Sequence, residues 1–127
     1  MKKILLLLLV MLSTAFSQTL LGEASYYSIA CNGGTQTASG IPLCDKSYTA
    51  ASNRFPLGSL VRVTNLANGK SVVVKITDRG PFATSNGKTV KPLRSHPTRI
   101  VDLSRAAASS IYNLQTGKIK VKATKIK

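Results

Sequence analysis

The strongest constraint on the fold is a pair of β-rich segments in the middle of the chain, residues 60–64 and 71–77. Valine, isoleucine and threonine dominate both segments, and β-branched side chains favour extended backbone. Between the segments, Asn68 and Gly69 form a pair that is typical of a type I′ turn, in which both central residues take a positive φ. The sequence therefore predicts a β-hairpin with Asn68 and Gly69 at its tip.

The second strand of this hairpin ends abruptly. Asp78 and Arg79 are followed by Gly80, which permits unusual backbone dihedrals, and by Pro81, which has no N–H for a strand ladder. We therefore expect the strand to present Asp78 at its own end. The alternative to a functional role is a structural one, in which the Asp78 carboxylate only closes the turn by accepting hydrogen bonds from the backbone or from an arginine.

Other parts of the chain also favour short strands. Extended segments are predicted at residues 22–28 and 99–101. At residues 118–123 lysines alternate with apolar residues, so that one side of the strand is buried and the other is a basic stripe. That stripe is either an ordinary solvated face or a surface that attracts the carboxylates of a wall polymer.

One small helix is predicted from residue 103 to about residue 112, with Asp102 as its N-cap and Gly117 as its end. No internal repeat or long linker divides the chain. Many short strands with one small helix are typical of an all-β barrel with small α content. The sequence therefore predicts a single domain of this kind.

The N-terminal segment has the pattern of a secretory signal peptide. Two lysines precede an apolar run at residues 4–12, and the small side chains Ala15 and Ser17 follow it. The run has nine residues, about half of what spans a bilayer, so a stable membrane anchor is the disfavoured alternative. We predict a signal peptide over residues 1–17 and export of residues 18–127 to the periplasm or beyond.

Composition restricts the chemistry of the chain. It has 18 Lys and Arg against 4 Asp and Glu, a formal net charge of +14, with one His and two Cys. Four carboxylates are too few for a calcium or magnesium cage, and the His and Cys inventory does not make a zinc site, so we expect neither metal nor cofactor. In an exported protein, such a charge points to anionic envelope polymers rather than nucleic acid.

The cysteines follow from the same expectation of export. Cys31 and Cys44 are the only thiols of the chain, and in an oxidising compartment we expect them to form a disulfide. The alternative is two free buried thiols. We also expect the exported domain to be a monomer.

Several blocks together resemble the rare lipoprotein A family. The Asp-Arg-Gly-Pro-Phe block beside the Val-Arg-Val-Thr-Asn hairpin is fairly specific, and all the blocks occur in the family's order. The resemblance implies a six-stranded double-psi β-barrel, a fold shared with expansins. It also implies a lytic transglycosylase that cuts the MurNAc–GlcNAc bond of peptidoglycan glycan strands and leaves 1,6-anhydro ends. The blocks are residues 22–27, 37–40, 60–65 with 68–70, 77–82, and 99–104 with 106–108.

The resemblance also assigns a candidate site. Asp78 matches the family's acid, and one acid/base group is enough because the C6 hydroxyl of the muramic acid is itself the nucleophile. We expect Arg79, Asn65 and either Tyr26 or Tyr27 to bind the sugar, since an aromatic ring stacks on a sugar face whose hydroxyls need polar partners. Strand alternation lets only one tyrosine face the groove, and the alternative for the other is packing in the core.

Two departures from the family keep a second reading open. Members that cut glycan typically carry Glu and His where this chain has Ile41 and Ser52. These residues favour the alternative of a non-catalytic, expansin-like module that binds peptidoglycan or another polysaccharide. A third reading is an extracellular effector or inhibitor that binds anionic surfaces through charge. Weaker site candidates are Glu23, Asp45, His96 and Asp102.

Overall fold

The computed structural model describes residues 18–27, 37–40 and 46–127 of the chain. The predicted signal peptide, both cysteines, Ile41 and Asp45 lie outside these residues. The β-strands of the described part are β1 Thr19–Tyr27, β2 Thr49–Ala51, β3 Leu60–Asn65, β4 Ser71–Asp78, β5 Thr84–Ser85, β6 Lys88–Thr89, β7 Arg99–Ser104 and β8 Ile119–Lys125. The helices are α1, Arg105–Ile111, and a 3₁₀ turn, Leu114–Thr116.

Six of these strands form a closed barrel in the order β1-β7-β2-β4-β3-β8. The β1–β7 and β2–β4 pairs are parallel, and the other four pairs are antiparallel. Closure leaves no unpaired strand edge in the barrel, which removes the main liability of a small sheet. Strands β5 and β6 form a separate two-stranded ribbon. The predicted small all-β barrel with one short helix is confirmed.

The barrel core is built by alternation along the strands. Val61, Val63, Val74 and Ile76 are fully buried on the hairpin, and helix α1 packs against β1, β4 and β7. Strand β8 follows the predicted pattern, because Val121 and Ala123 are buried while Lys120 and Lys122 are exposed. Apolar area removed from water at these positions stabilises the barrel, at about 25 cal/mol per Å².

The predicted hairpin is confirmed, but its turn is different. Strands β3 and β4 pair from Leu60–Lys75 to Thr64–Ser71. The tip is not type I′, because only Gly69 takes a positive φ, at 75°, and Asn68 does not. The Asn68 amide instead donates to the carbonyl oxygen of Ile111 at 3.0 Å, so the tip is anchored to the end of α1. This tertiary contact overrides the local turn preference.

The predicted helix cap is wrong. Strand β7 continues past residue 101 to Ser104, because it pairs with β1 on one side and β2 on the other. Ser104 is the N-cap, and its Oγ accepts from the N–H of Ala107 at 3.3 Å. Asp102 therefore lies within a strand. Gly117, the predicted helix end, closes the 3₁₀ turn instead.

Substitution of Gly22 tests the close approach of β1 to β7. A Cβ at this position would lie 2.7 Å from Cγ2 and 3.0 Å from Cγ1 of the buried Ile100, and 3.0 Å from the carbonyl oxygen of Thr98. We expect Gly22→Ala to lower the free energy of unfolding by about 1–3 kcal/mol, the range for overpacking. Leu21→Ala, at the neighbouring 71% exposed residue, is the control and should change stability by less than about 0.5 kcal/mol. Equal urea midpoints for Gly22→Ala and the unsubstituted protein would contradict this packing.

Candidate active site at the end of strand β4

Two carboxylates lie on one row of paired residues across the outer face of the barrel. Ala51 of β2 pairs with Asp78 of β4 on one side and with Asp102 of β7 on the other, and Asp102 pairs in turn with Ser25 of β1. Neighbouring strands are about 4.8 Å apart, which puts the two acids roughly 10 Å apart across the row. The small side chain of Ala51 lies between them. We call Ser25, Asp102, Ala51 and Asp78 the acid row.

A short loop covers the Asp78 end of this row. The backbone N–H of Ala38 donates to Oδ1 of Asp78 at 3.0 Å, and the N–H of Ser39 donates to the carbonyl oxygen of Thr77 at 3.1 Å. The N–H of Arg79 also donates to Oδ1 of Asp78, at 2.8 Å. One carboxylate oxygen is thus fixed by two backbone donors. The carboxylate therefore helps to close the turn, which is the structural role given above as the alternative to catalysis. The other oxygen, Oδ2, accepts no hydrogen bond from the described residues.

Arg79 braces the backbone beneath the site rather than pairing with Asp78. Its Nη1 donates to the carbonyl oxygens of Ser52 at 3.0 Å and Phe55 at 2.7 Å. The residue as a whole is nevertheless exposed, so part of it remains accessible to a ligand at the site. The structure therefore brings Arg79 together with Asp78, in a geometry that the sequence did not predict.

Ser52 contacts Asp78 through the backbone. Its N–H donates to the carbonyl oxygen of Asp78 at 3.0 Å. Its side chain is fully buried, and Oγ donates to the carbonyl oxygen of Ile100 at 2.8 Å and accepts from the N–H of Arg54 at 3.0 Å. The hydroxyl at this position is thus committed to the barrel backbone.

Asn53 is a site residue that sequence reasoning missed. Its Oδ1 accepts from the N–H of Gly80 at 2.9 Å, and its Nδ2 donates to the carbonyl oxygen of Pro81 at 3.1 Å. These bonds hold the chain directly after Asp78 and Arg79. The partners are 27 and 28 residues away in sequence, so no local pattern signals them.

Asp102 is the second carboxyl group of the acid row. Its Oδ1 accepts from Oγ of Ser25 at 3.1 Å, and that hydroxyl accepts from Nη1 of Arg99 at 3.0 Å. Burial raises the pKa of Asp102, while the Ser25 hydrogen bond and the Arg99 charge oppose the rise. Asp102 is therefore a carboxyl group that retains a proton more readily than an exposed one.

The two tyrosines lie on opposite sides of β1, as alternation predicts. Tyr26 packs against the core and meets Tyr112 edge to face, with ring centroids 6.3 Å apart. Tyr27 lies on the outer face, and its hydroxyl is 2.8 Å from Oγ1 of Thr49. Tyr27 pairs with Ser104, which places it in the row next to the acid row. The expected core packing of one tyrosine is thus confirmed for Tyr26.

Asn65 is far from the acid row. It lies beside the opposite end of β4, roughly 23 Å from Asp78 along seven residues of extended chain. Its Nδ2 donates to the carbonyl oxygen of Ile111 at 2.9 Å, which ties β3 to the end of α1. Asn65 also lines a separate groove of about 610 Å³ with Tyr112. The structure therefore does not bring Asn65 together with Asp78.

The weaker candidates Glu23 and His96 are both tied to Thr98. Oε1 of Glu23 accepts from the Thr98 hydroxyl at 2.7 Å, which lowers the pKa of Glu23. Nδ1 of His96 accepts from the N–H groups of Thr98 at 3.2 Å and Arg99 at 3.0 Å, and burial lowers the pKa of His96. Both side chains hold the turn that leads into β7.

Within the described ranges, no helix is long and apolar enough to cross a membrane.

Comparison of the sequence with known proteins gives a consistent set of relatives. Residues 19–123 match the family described as lytic transglycolase. A probable endolytic peptidoglycan transglycosylase RlpA of Treponema pallidum is 41% identical over 100 residues, which are 79% of this chain and 27% of that protein. The endolytic peptidoglycan transglycosylase RlpA of Neisseria meningitidis is 39% identical over 111 residues, 87% of this chain and 40% of that protein. The chain thus spans less than half the length of these curated relatives.

Comparison of the structure gives the same fold at lower sequence identity. A Streptomyces papain inhibitor superposes with a TM-score of 0.61 and 23% identity, over 87% of this chain and 96% of that one. The apo expansin of Clavibacter michiganensis superposes with a TM-score of 0.60 and 19% identity, over 87% of this chain and 51% of that one. With the family match, this confirms the predicted double-psi β-barrel.

The raised pKa of Asp102 makes a prediction about stability. Between the ordinary value of 3.8 and the raised value, the folded protein binds more protons than the unfolded chain, so stability falls as the pH rises through that window. Asn is neutral throughout and retains an acceptor for Ser25. Asp102→Asn lacks this loss of stability. As the pH rises from about 3.5 to about 7, we therefore expect its free energy of unfolding to increase relative to that of the unsubstituted protein.

Thermal unfolding across this pH range measures the effect, with Ser104→Ala as the control. Loss of the true helix cap should lower stability by about 1 kcal/mol at every pH. An Asp102→Asn difference that does not change with pH would contradict the raised pKa.

Proposed function

The chain belongs to the lytic transglycolase family, and from this premise we propose that it cleaves the glycan strands of peptidoglycan and leaves 1,6-anhydro ends. The observation that carries the proposal is the Asp78 carboxylate, with one oxygen fixed by backbone N–H groups and Oδ2 without a partner among the described residues. A fixed carboxylate at the rim of a barrel is suited to move a proton on a bound sugar. The relatives named as peptidoglycan transglycosylases support the choice of substrate.

The proposed reaction consumes no water. Asp78 accepts the proton of the C6 hydroxyl of the muramic acid, and O6 forms a bond to C1 of the same ring. The bond from C1 to the leaving O4 breaks, and a proton passes to that oxygen. Atoms and charge balance with one acid/base group, which suits a chain with four carboxylates. We assign both proton transfers to Asp78 and substrate contacts to Arg79 and Tyr27, which lie at the rim and in the row beside it.

The proposal includes where the protein acts. We propose that residues 1–17 direct export, that Cys31 and Cys44 pair after export, and that the barrel acts at the cell wall as a monomer. The charge of +14 supports an anionic polymer as the partner.

A second candidate function is a wall-binding barrel without catalysis. The specific observation in its favour is Ser52, because its buried hydroxyl bonds the barrel backbone and supplies no acid or base next to Asp78. In this case Asp78 would close the turn, and the acid row would only bind glycan.

Substitution of Asp78 separates the two functions. Asn at this position retains an oxygen that accepts from Ala38 and Arg79, so we expect Asp78→Asn to fold normally and to lose at least about 100-fold in the release of anhydro-muramic fragments from sacculi. Mass spectrometry of the soluble fragments measures the release. Asp102→Asn is the matched variant on the same row and should retain most of the activity.

The outcomes are distinct. Loss of release in Asp102→Asn with retention in Asp78→Asn would move the acid/base role to Asp102. No fragments from the unsubstituted protein, with sedimentation onto sacculi retained, would establish the binding barrel instead.

A further inference from the structure

Three cations form a diagonal line across the outer face of strands β8, β3 and β4. Lys122 of β8 pairs with Thr64 of β3, and two residues away on β3 lies Arg62. Arg62 pairs with Val73 of β4, and two residues further on β4 lies Lys75. Lys122, Arg62 and Lys75 are all exposed. We call these three residues the cationic track.

The spacing of the cationic track follows from strand geometry. Each step crosses one strand, about 4.8 Å, and advances two residues, about 6.7 Å, so successive Cα atoms are roughly 8 Å apart. The predicted basic stripe was confined to one strand. The barrel register instead spreads positive charge obliquely over three strands, a pattern that sequence alternation alone does not show.

No carboxylate of the described residues accepts a hydrogen bond from the cationic track. Glu23 of β1 lies beside β8, where it pairs with Lys120, but its carboxylate accepts from the Thr98 hydroxyl. Asp78, at the end of β4, accepts from backbone N–H groups, and Asp102 accepts from Ser25. Like charges at this spacing repel one another, and salt screens the repulsion. An anionic ligand bound along the line would be attracted to all three cations and would offset their mutual repulsion.

The cationic track ends next to the acid row. Lys75 pairs with Thr49 of β2, whose hydroxyl meets Tyr27, and Asp78 follows Lys75 by three residues on the same strand. Lys75 therefore lies roughly 10 Å from Asp78 along β4. An extended ligand that followed the track from Lys122 would reach the site at its Lys75 end.

We propose that the cationic track binds the carboxylates of a peptidoglycan strand and holds that strand in line with Asp78. This inference deepens the proposed function, on which it rests for the identity of the wall polymer. The ligand groups recur along the strand: the carboxylate of each muramic acid where the stem peptide has been removed, and the carboxylates of the stem peptide where it is present. Arg62, at the middle of the line, suits bidentate binding of a carboxylate, whereas the lysines act as point charges at its ends.

A charge-matched comparison tests the proposal. One protein carries Lys122→Gln, Arg62→Gln and Lys75→Gln, and the control carries Lys88→Gln, Lys91→Gln and Arg94→Gln. Both sets are exposed and both remove two lysines and one arginine, so the loss of net charge is the same. The control residues lie on the β5–β6 ribbon and the segment after it, outside the three strands that carry the track. Thermal unfolding of each protein verifies its fold.

Sedimentation with sacculi over a series of salt concentrations measures binding. We expect the track variant to bind about tenfold more weakly, while the control stays within about twofold. The slope of log affinity against log salt, which is negative, should become less steep by about 2 in the track variant. Sacculi with amidated carboxylates should bind the unsubstituted protein as weakly as native sacculi bind the track variant.

Three results would overturn the proposal. Equal losses in both variants would mean that only net charge matters. Full binding to amidated sacculi, with loss on sacculi stripped of phosphate polymers, would assign the track to a phosphate polymer instead. Unchanged binding and glycan cleavage by the track variant would leave the proposed function in place without the track. If the track variant alone loses binding but no protein releases anhydro ends, the track stands and the catalytic function fails.

Discussion

Strand β4 is hydrogen-bonded on both sides, antiparallel to β3 and parallel to β2, and this double pairing fixes which of its residues face the core. Val74 and Ile76 point inward and are fully buried, whereas Lys75 between them is exposed. A slip of one residue would bury Lys75 and expose both apolar side chains. The register shift opposite Ala50 and Ala51 then brings Asp78 onto the acid row. The site and the cationic track both depend on this one register.

The high positive charge of the chain affects how a carboxyl group works within it. Nearby cations stabilise the ionised form of an acid and lower its pKa. Asp102 has Arg99 close by, joined to it through Ser25, yet burial dominates and its pKa is raised. Glu23 shows the opposite result, because the Thr98 hydrogen bond outweighs the effect of burial and lowers its pKa. Of these two acids, only Asp102 has a raised pKa, and burial is the cause.

The parts of the fold that were predictable from sequence are those set by local pattern. Alternation predicted the inner and outer residues of β8 and the opposite directions of Tyr26 and Tyr27 on β1, and the resemblance predicted the barrel. The turn at Asn68 and the cap at Asp102 were wrong because tertiary contacts decided them, through α1 in one case and through β1 and β2 in the other. The same limit applies to the site. The bond between Ala38 and Asp78 joins residues 40 apart, and only the closed barrel brings them together.

Asn65 and Tyr27 show why a list of family residues does not define a site. Both belong to blocks that the resemblance identified, but the barrel places Asn65 at the far end of β4 and Tyr27 beside the acid row. Tyr27 can lie beside the acid row because the barrel places β7 and β2 between β1 and β4, so that one row of paired residues crosses all four strands. In the same barrel, β4 lies between β2 and β3, so Lys75 on β4 connects the acid row with the exposed faces of β3 and β8. A long polymer that follows the cationic track would therefore reach the acid row along one continuous surface.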